Sequence, residues 1–206
     1  MIESNGSVAK RYAQLETAKS AFLQRARDAA ELTIPALLPP EGHSGSSEFV
    51  TPFQSVGSRG VNNLAAKFLL TLLPPNSPFF RLMIDDYDLA QVAGADKRGA
   101  VEEALARIER AGLAEIEGSA VRVPVFEALK QLIVAGNALV YMPKKGGMKV
   151  FRLDRYVVKR DAMGNVLEIL TKESISPLML PESTRALLTD PVDRDTKDYD
   201  LYTCVK

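Results

Sequence analysis

Three closely spaced aspartates are the first residues whose types and spacing could do chemistry. Asp85, Asp86 and Asp88 follow the mainly apolar residues 79–84, and carboxylate oxygens are the ligands that Mg²⁺ and Ca²⁺ prefer. A calcium loop also needs a turn glycine and a distal glutamate, which this stretch does not supply. The helix dipole alone explains acidic residues at the start of a helix. We therefore predict helix capping and no metal site, with a metal-dependent enzyme as the weaker alternative.

Gly57 and Gly60, near the start of a predicted helix, allow two interpretations. Glycines at a helix N-terminus can cradle a phosphate. Their spacing fits neither the dinucleotide-binding fingerprint nor the P-loop, and no strand clearly precedes them. Glycine also lets another backbone approach closely, at a cost of about 1 kcal/mol relative to alanine. We therefore predict tight helix packing or an interface at these two positions.

The chain has one histidine and one cysteine. His43 lies in a loop with no second ligand nearby, so we assign it no role. Cys204 by itself cannot form an internal disulfide or a cysteine-rich metal site, and it suits a reducing compartment. Because no nucleophile–base pair, metal cluster or phosphate loop stands out, we predict no catalytic residues, no cofactor and no enzymatic activity.

Positive charge is concentrated in residues 144–160. The basic residues there are Lys144, Lys145, Lys149, Arg152, Arg155, Lys159 and Arg160. Such a cluster could contact phosphates, so a nucleic-acid-binding module is an alternative function, with Lys144, Lys145, Lys159 and Arg160 as candidate DNA or partner contacts. The whole chain carries 26 basic and 26 acidic residues, a balance that counts against a freestanding nucleic-acid binder. A solvated edge is the other interpretation.

The overall composition is that of a globular protein with a buried core. The 206 residues are 46% hydrophobic and 25% charged. No apolar run approaches the roughly 18 residues that a membrane helix needs, and the N-terminus lacks the apolar core of a signal peptide. We therefore expect a location in the cytoplasm or inside a virion, with no membrane partner.

The elements that position these residues begin with a long helix. Apolar residues recur every three or four positions from Val8 to Thr33, and Pro35 ends the pattern. The charged side of this helix carries Lys10, Arg11, Glu16, Lys19, Arg25, Arg27 and Asp28. Residues 34–54 form a long loop rich in Pro, Gly and Ser, of a kind that often orders against a partner. The helix starting at Ser55 is apolar over more than half its circumference, so we expect it to be largely buried.

A helix followed directly by a strand forms the predicted packing nucleus. Pro124 suits the first helical position, Gly136 ends the helix, and the apolar residues 138–142 read as a buried strand. A charge at Leu129 or Leu132 is therefore predicted to abolish folding. Upstream, residues 79–84 predict a short buried strand. A charged helix follows over 96–117, which Gly112 is expected to weaken or break.

Four short strands are predicted after this helix. They cover residues 138–142, 148–153, 156–160 and 166–172, joined by turns at 144–147 and 161–165. The predicted fold class is therefore α+β, with amphipathic helices packed on a small antiparallel β-meander. The organisation is a mainly helical region 1–137, the β-meander 138–180, and a tail 181–206 with a short helix, a charged linker and a strand. Because that last strand has no obvious partner, we expect a longer parent protein.

Four stretches resemble one protein family, in the same order as in that family. They are LTIPALLPP (32–40), TPFQSVGSRGVNNLAAKFLLTLLPP (51–75), VFEALKQLIVAGNALVYMP (125–143) and RLDRYVVKRDAMGNVLEI (152–169). They are similar to the head-to-tail connector, or portal, proteins of short-tailed bacteriophages. Four extended matches in order are far more specific than one short motif.

The resemblance implies a ring, typically a dodecamer, at one capsid vertex. Double-stranded DNA is pumped in through such a ring by the terminase motor and later leaves through the tail. The implied partners are sibling subunits, terminase, the major capsid protein, scaffold, internal core proteins and the tail adaptor. The implied location is the virion, after assembly in the host cytoplasm. This chain would correspond to the outer wing, without the stem and clip.

Overall fold

A computed structural model describes residues 6–43, 46–75, 77–85, 97–144, 147–180, 182–185 and 198–206. The helices are α1 (Gly6–Glu31), α2 (Val56–Leu72), α3 (Arg98–Gly118), α4 (Arg122–Ala135) and the single turn α5 (Glu182–Arg185). The strands are β1 (Leu139–Tyr141), β2 (Lys149–Phe151), β3 (Tyr156–Arg160), β4 (Val166–Ile175) and β5 (Tyr199–Val205). The predicted α+β class is confirmed.

The predicted long helix is α1, and its apolar side faces the core. One core cluster consists of Leu23, Ala26, Ala30, Leu38, Ala135, Phe151, Leu153 and Tyr156. A smaller cluster joins Tyr12 of α1 to Val157 of β3 and Leu170 of β4. Because both clusters include residues of α1, this helix connects the helical layer to the strands.

The loop at 34–54 is more firmly anchored than its composition indicated. Its described residues include one 3-10 turn, Pro35–Leu37, and no strand. Leu37 and Leu38 are buried. From α4, Gln131 Nε2 donates a hydrogen bond of 3.0 Å to the carbonyl oxygen of Leu37. The start of the loop is therefore part of the core of its own chain.

The helix and strand around Gly136 are present, but only the helix is well buried. Gly136 adopts a left-handed φ of +70°, and its N–H donates to the Leu132 carbonyl oxygen at 2.9 Å. Leu129 is 7% exposed, whereas Leu132 is 50% exposed and lies outside the core. The expected burial of the strand is wrong, since Val140 is 39% exposed. Only β2 pairs with this strand in the described chain.

The expectation that α2 is largely buried is also wrong. Val61 and Ala65 are its buried residues. The helix α2 packs on α4, but Leu64, Phe68 and Leu72 are between 41% and 55% exposed. Much of the apolar surface of α2 is therefore exposed in the described part of the chain.

Residues 79–84 do not form the predicted strand. The segment 77–85 has no regular structure and lies along α3, where Leu82 N–H donates to Glu109 Oε1 at 2.6 Å. Met83 is 82% exposed. A strand needs a neighbouring strand for its backbone hydrogen bonds, and none of the described strands pairs with this segment.

The charged helix α3 runs unbroken through Gly112, so the predicted break is wrong, while a weakening there stays a prediction. A glycine inside a helix costs about 1 kcal/mol relative to alanine, which a helix of 21 residues can tolerate. Glu103 and Arg107, which lie four residues apart on this helix, form an ion pair with 2.6 Å between Oε1 and Nη2. No residue of this helix is buried.

The strands form two sheets instead of one continuous meander. β1 and β2 make an antiparallel hairpin in which Leu139 lies opposite Phe151. The 3-10 turn Leu153–Arg155 follows and separates β2 from β3. Because this turn breaks the extended backbone, β3 starts a second sheet.

The second sheet has three strands in the order β3, β4, β5, all antiparallel. Val157 lies opposite Leu170, which lies opposite Cys204. The last strand therefore has a partner, which its sequence position concealed because residues 176–198 separate it from β4.

Candidate interaction surfaces

A row of apolar side chains along α2 is exposed to a large extent in the described chain. Val56, Leu64, Phe68 and Leu72 are between 41% and 74% exposed. They are spaced by four residues or a multiple of four, with Gly60 in the same series, and such residues form a continuous ridge on a helix. We call these five residues the α2 ridge. Contiguous exposed apolar surface is typical of an interaction site.

The two glycines of α2 have different surroundings. A Cβ at Gly57 would lie 2.5 Å from the Leu32 carbonyl oxygen and 3.2 Å from Thr33 Cγ2. The predicted tight packing is therefore confirmed at Gly57, which lies against the end of α1. A Cβ at Gly60 would meet nothing within 4 Å. Packing within the chain is thus wrong for Gly60, and an interface there stays a prediction.

Three basic side chains in residues 144–160 already have acidic partners. Lys149 pairs with Glu173 of β4. Arg152 Nη2 lies 2.8 Å from Asp154 Oδ2, and Arg155 Nε lies 3.7 Å from the same oxygen. The acidic partners offset the positive charge of these three side chains, which the sequence pattern predicted to be available to phosphates.

The four candidate contacts do not line one strand edge. Lys144 is exposed in the turn of the hairpin, whereas Lys159 and Arg160 are exposed at the end of β3 in the other sheet. Arg160 Nη1 also donates a hydrogen bond of 2.9 Å to the Gly164 carbonyl oxygen. Lys145 lies outside the described residues.

The described residues contain no metal site at the aspartates or at His43 and no membrane-spanning helix. Asp85 is exposed, while Asp86 and Asp88 lie outside the described residues. Within the described ranges, no three His, Cys, Asp or Glu side chains gather as a metal site, and no helix is long and apolar enough to span a membrane. His43 stacks on Phe49, with 4.1 Å between ring centroids.

Cys204 is exposed on β5, beside the buried carboxylate of Glu168. Its Sγ lies 3.7 Å from Glu168 Oε1, and desolvation together with this negative charge raises the pKa of the thiol. Glu168 Oε2 accepts a hydrogen bond of 3.1 Å from Arg11 Nε. A raised pKa keeps the thiol protonated, which makes Cys204 a weak nucleophile.

Sequence reasoning missed the role of one α1 side chain. The charge pattern predicts that Lys19 lies on the solvated side of α1, yet its Nζ donates to backbone carbonyl oxygens at the junction between the two sheets. The available signal was its spacing of seven residues from Tyr12, which places both on one face of the helix.

Comparison with known proteins gives consistent matches. Residues 5–206 match the bacteriophage head to tail connecting protein family. The portal protein of Enterobacteria phage T3 is 43% identical over 201 residues, which cover 94% of this chain and 37% of that protein. The portal protein of Escherichia phage T7 is 42% identical over 180 residues, which cover 84% of this chain and 33% of that protein. The portal protein of Enterobacteria phage SP6 is 31% identical over 171 residues, which cover 79% of this chain and 32% of that protein. The chain spans about a third of the length of these relatives.

Proposed function

The chain belongs to the bacteriophage head-to-tail connecting protein family, and we propose that it is part of a portal subunit. In this role it helps to form the ring through which double-stranded DNA enters the capsid and later leaves it. The observation that carries this proposal is the family match over residues 5–206. The identity of 43% to the T3 portal protein supports it.

The proposed role is structural, without a chemical reaction. A closed ring requires two different surfaces on each subunit, one for each neighbour. The α2 ridge supplies one such surface, because its side chains are apolar and uncovered in the described chain. Burying them against a neighbour would stabilise the ring by removing apolar area from water.

The proposed partners follow from this position at the capsid vertex. They are sibling subunits in a ring, expected to be a dodecamer, together with terminase, the major capsid protein, scaffold, internal core proteins and the tail adaptor. The proposed location is the virion, after assembly in the host cytoplasm. No membrane takes part.

Ring formation tests the proposal. The protein expressed from its complete gene should form rings in negative-stain electron microscopy, and a strictly monomeric protein would contradict the portal role. Phe68→Glu places a charge on the α2 ridge and should reduce ring formation while leaving the circular dichroism spectrum unchanged. Asn62→Glu, at an exposed position on the same helix, is the matched control and should assemble normally.

Direct contact with passing DNA is a narrower proposal. Lys144, Lys159 and Arg160 are exposed, and Lys145 completes the candidate set. The alternative, a dedicated nucleic-acid-binding module, requires strong salt-dependent binding, because each phosphate contact releases counterions. Replacing all four residues by alanine should weaken duplex binding and flatten its salt dependence. Unchanged binding would remove this surface from consideration, without affecting the portal role.

A further inference from the structure

The two sheets meet at a junction that no backbone ladder spans. The 3-10 turn Leu153–Arg155 connects β2 to β3, and the two described sheets share no strand. Interstrand hydrogen bonds therefore do not set the angle between the β1–β2 hairpin and the three-stranded sheet. That angle depends on the side chains that hold the junction.

Two side chains of α1 bind the carbonyl oxygens of this junction. Tyr12 Oη donates to the Asp154 carbonyl oxygen at 3.1 Å. Lys19 Nζ donates to the carbonyl oxygens of Leu153 and Tyr156, each at 2.5 Å. Because about two helical turns separate Tyr12 from Lys19, both project from one face of α1. Together they bind three of four consecutive carbonyl groups.

The Lys19 ammonium is held in the junction at the expense of its hydration. Its Nζ lies 5.3 Å from the Tyr156 ring centroid, within the range of a cation–π contact. Burial lowers the pKa of Lys19 to about 8, although the charges of Glu16 and Asp154 act in the opposite direction, and Arg27 adds to the lowering. Opening of the junction would return the ammonium to water.

We propose that Tyr12 and Lys19 form a latch through which α1 positions the hairpin relative to the three-stranded sheet. The hairpin presents Val140, Tyr141 and Met142, which are between 39% and 70% exposed. The latch therefore sets the position of these apolar residues relative to the three-stranded sheet. Its opening frees the tip while the helices and the three-stranded sheet remain folded.

The hairpin has further attachments to the rest of the chain, since Leu139 packs against the larger core cluster and β2 contacts α4. Phe151 is buried in the larger core cluster and anchors the base of the hairpin. Lys149 pairs with Glu173 of β4, but its side chain is 52% exposed, and exposed ion pairs contribute little. Leu153 and Tyr156 of the junction are buried in the same cluster, and the latch adds the hydrogen bonds from α1 to the junction backbone.

Hydrogen exchange of the intact protein, followed by mass spectrometry, tests the latch. Lys19→Met removes the ammonium and keeps an apolar stem, whereas Tyr12→Phe removes only a hydroxyl group. Amides of β1, β2 and the junction should exchange about tenfold faster in Lys19→Met and about threefold faster in Tyr12→Phe, because local opening becomes easier. Exchange in α2 and in β4 should stay unchanged. Lys10→Met, at an exposed lysine of the same helix, is the matched control.

A pH series separates the latch from general packing. Because the pKa of Lys19 is about 8 in the closed junction and 10.5 in water, opening takes up a proton between these values. Between about pH 8 and the ordinary pKa of 10.0 of the buried Tyr12 and Tyr156 hydroxyls, protection of the hairpin amides, corrected for intrinsic exchange, should therefore rise in the natural protein and in Tyr12→Phe. It should stay flat in Lys19→Met.

Three outcomes would overturn the latch. They are unchanged hairpin exchange in both variants, equal acceleration in every element, and a flat pH profile in the natural protein. If Lys19→Met does not fold, Tyr12→Phe and the pH series of the natural protein still test whether the latch exists. Ring formation is scored separately, so the latch and the portal role can fail independently.

Discussion

Gly57 and Gly60 lie three residues apart on α2 and should respond to alanine in opposite ways. Gly57→Ala forces a Cβ to 2.5 Å from the Leu32 carbonyl oxygen, so the end of α1 must shift. The free energy of unfolding should fall by about 1–3 kcal/mol, as in other overpacked sites. Gly60→Ala meets nothing within 4 Å and should raise it by about 1 kcal/mol through helix propensity. Urea denaturation measures both, and changes of the same sign would contradict the geometry.

Asp161 organises the turn between β3 and β4. Its Oδ1 accepts the N–H groups of Met163 at 2.9 Å and of Asn165 at 2.8 Å. Its Oδ2 accepts from Asn165 Nδ2 at 2.8 Å. The bond from the Asn165 side chain, followed by the backbone bonds, holds the pKa of Asp161 below its ordinary value of 3.8. The fold therefore favours the ionised carboxylate.

Acid should loosen this turn in a defined direction. A lowered pKa means that the stabilisation is present above the ordinary pKa and is lost as the pH falls through the lowered one. The titration midpoint of Asp161, followed by NMR, should lie below 3.8 and move upward in Asn165→Ala. Asp154→Asn, at an aspartate away from the turn, should leave the midpoint unchanged. A midpoint that does not respond to Asn165→Ala would contradict this account.

At the scale of elements, α4 shows that two residues of the same type on one helix can differ in burial. Leu129 is 7% exposed and Leu132 is 50% exposed on the same helix. Leu129→Asp should prevent folding or lower the free energy of unfolding by more than about 3 kcal/mol, because it buries an unpaired charge. Leu132→Asp should cost less than about 1 kcal/mol, since it stays in water. Thermal unfolding followed by circular dichroism compares them, and equal losses would show that both leucines are buried.

Most helices and strands could be predicted from short-range patterns. The periodicity from Val8 onward indicates α1, and Gly136 marks the end of α4 because it accepts a left-handed backbone. β3 has the predicted bounds, Tyr156–Arg160. The failures occur where distant contacts override local preference. Residues 79–84 are mainly apolar, but none of the described strands pairs with them, and they lie along α3 instead.

The candidate site was less predictable than the fold. The basic residues of 144–160 are easy to count, but whether a charge is available depends on partners such as Glu173, which belongs to another strand. The apolar pattern of α2 predicts a core helix, because an apolar face looks the same in sequence whether its own chain or a partner covers it.

At the scale of the whole molecule, assembly and DNA contact should respond differently to salt. Acidic and basic residues balance at 26 each, and the proposed subunit contact is apolar. Ring formation should therefore persist when NaCl is raised from about 0.1 to about 0.5 M, because screening acts on charges and not on apolar burial. Any DNA contact should weaken over the same range. Mass photometry and a duplex-binding assay measure the two, and rings that dissociate in salt would point to an electrostatic interface.

Residue types and their spacing were enough to establish the helices, the turns and the resemblance to a family, because proline, glycine and apolar periodicity act over a few residues. Three features depended on the tertiary structure. β5 pairs with β4 across residues 176–198, Lys19 reaches the junction between the sheets, and the α2 ridge is exposed in the part of the chain that the structure describes. Each of these features depends on whether residues far apart in sequence are in contact. Local preferences act over a few residues and do not determine such contacts.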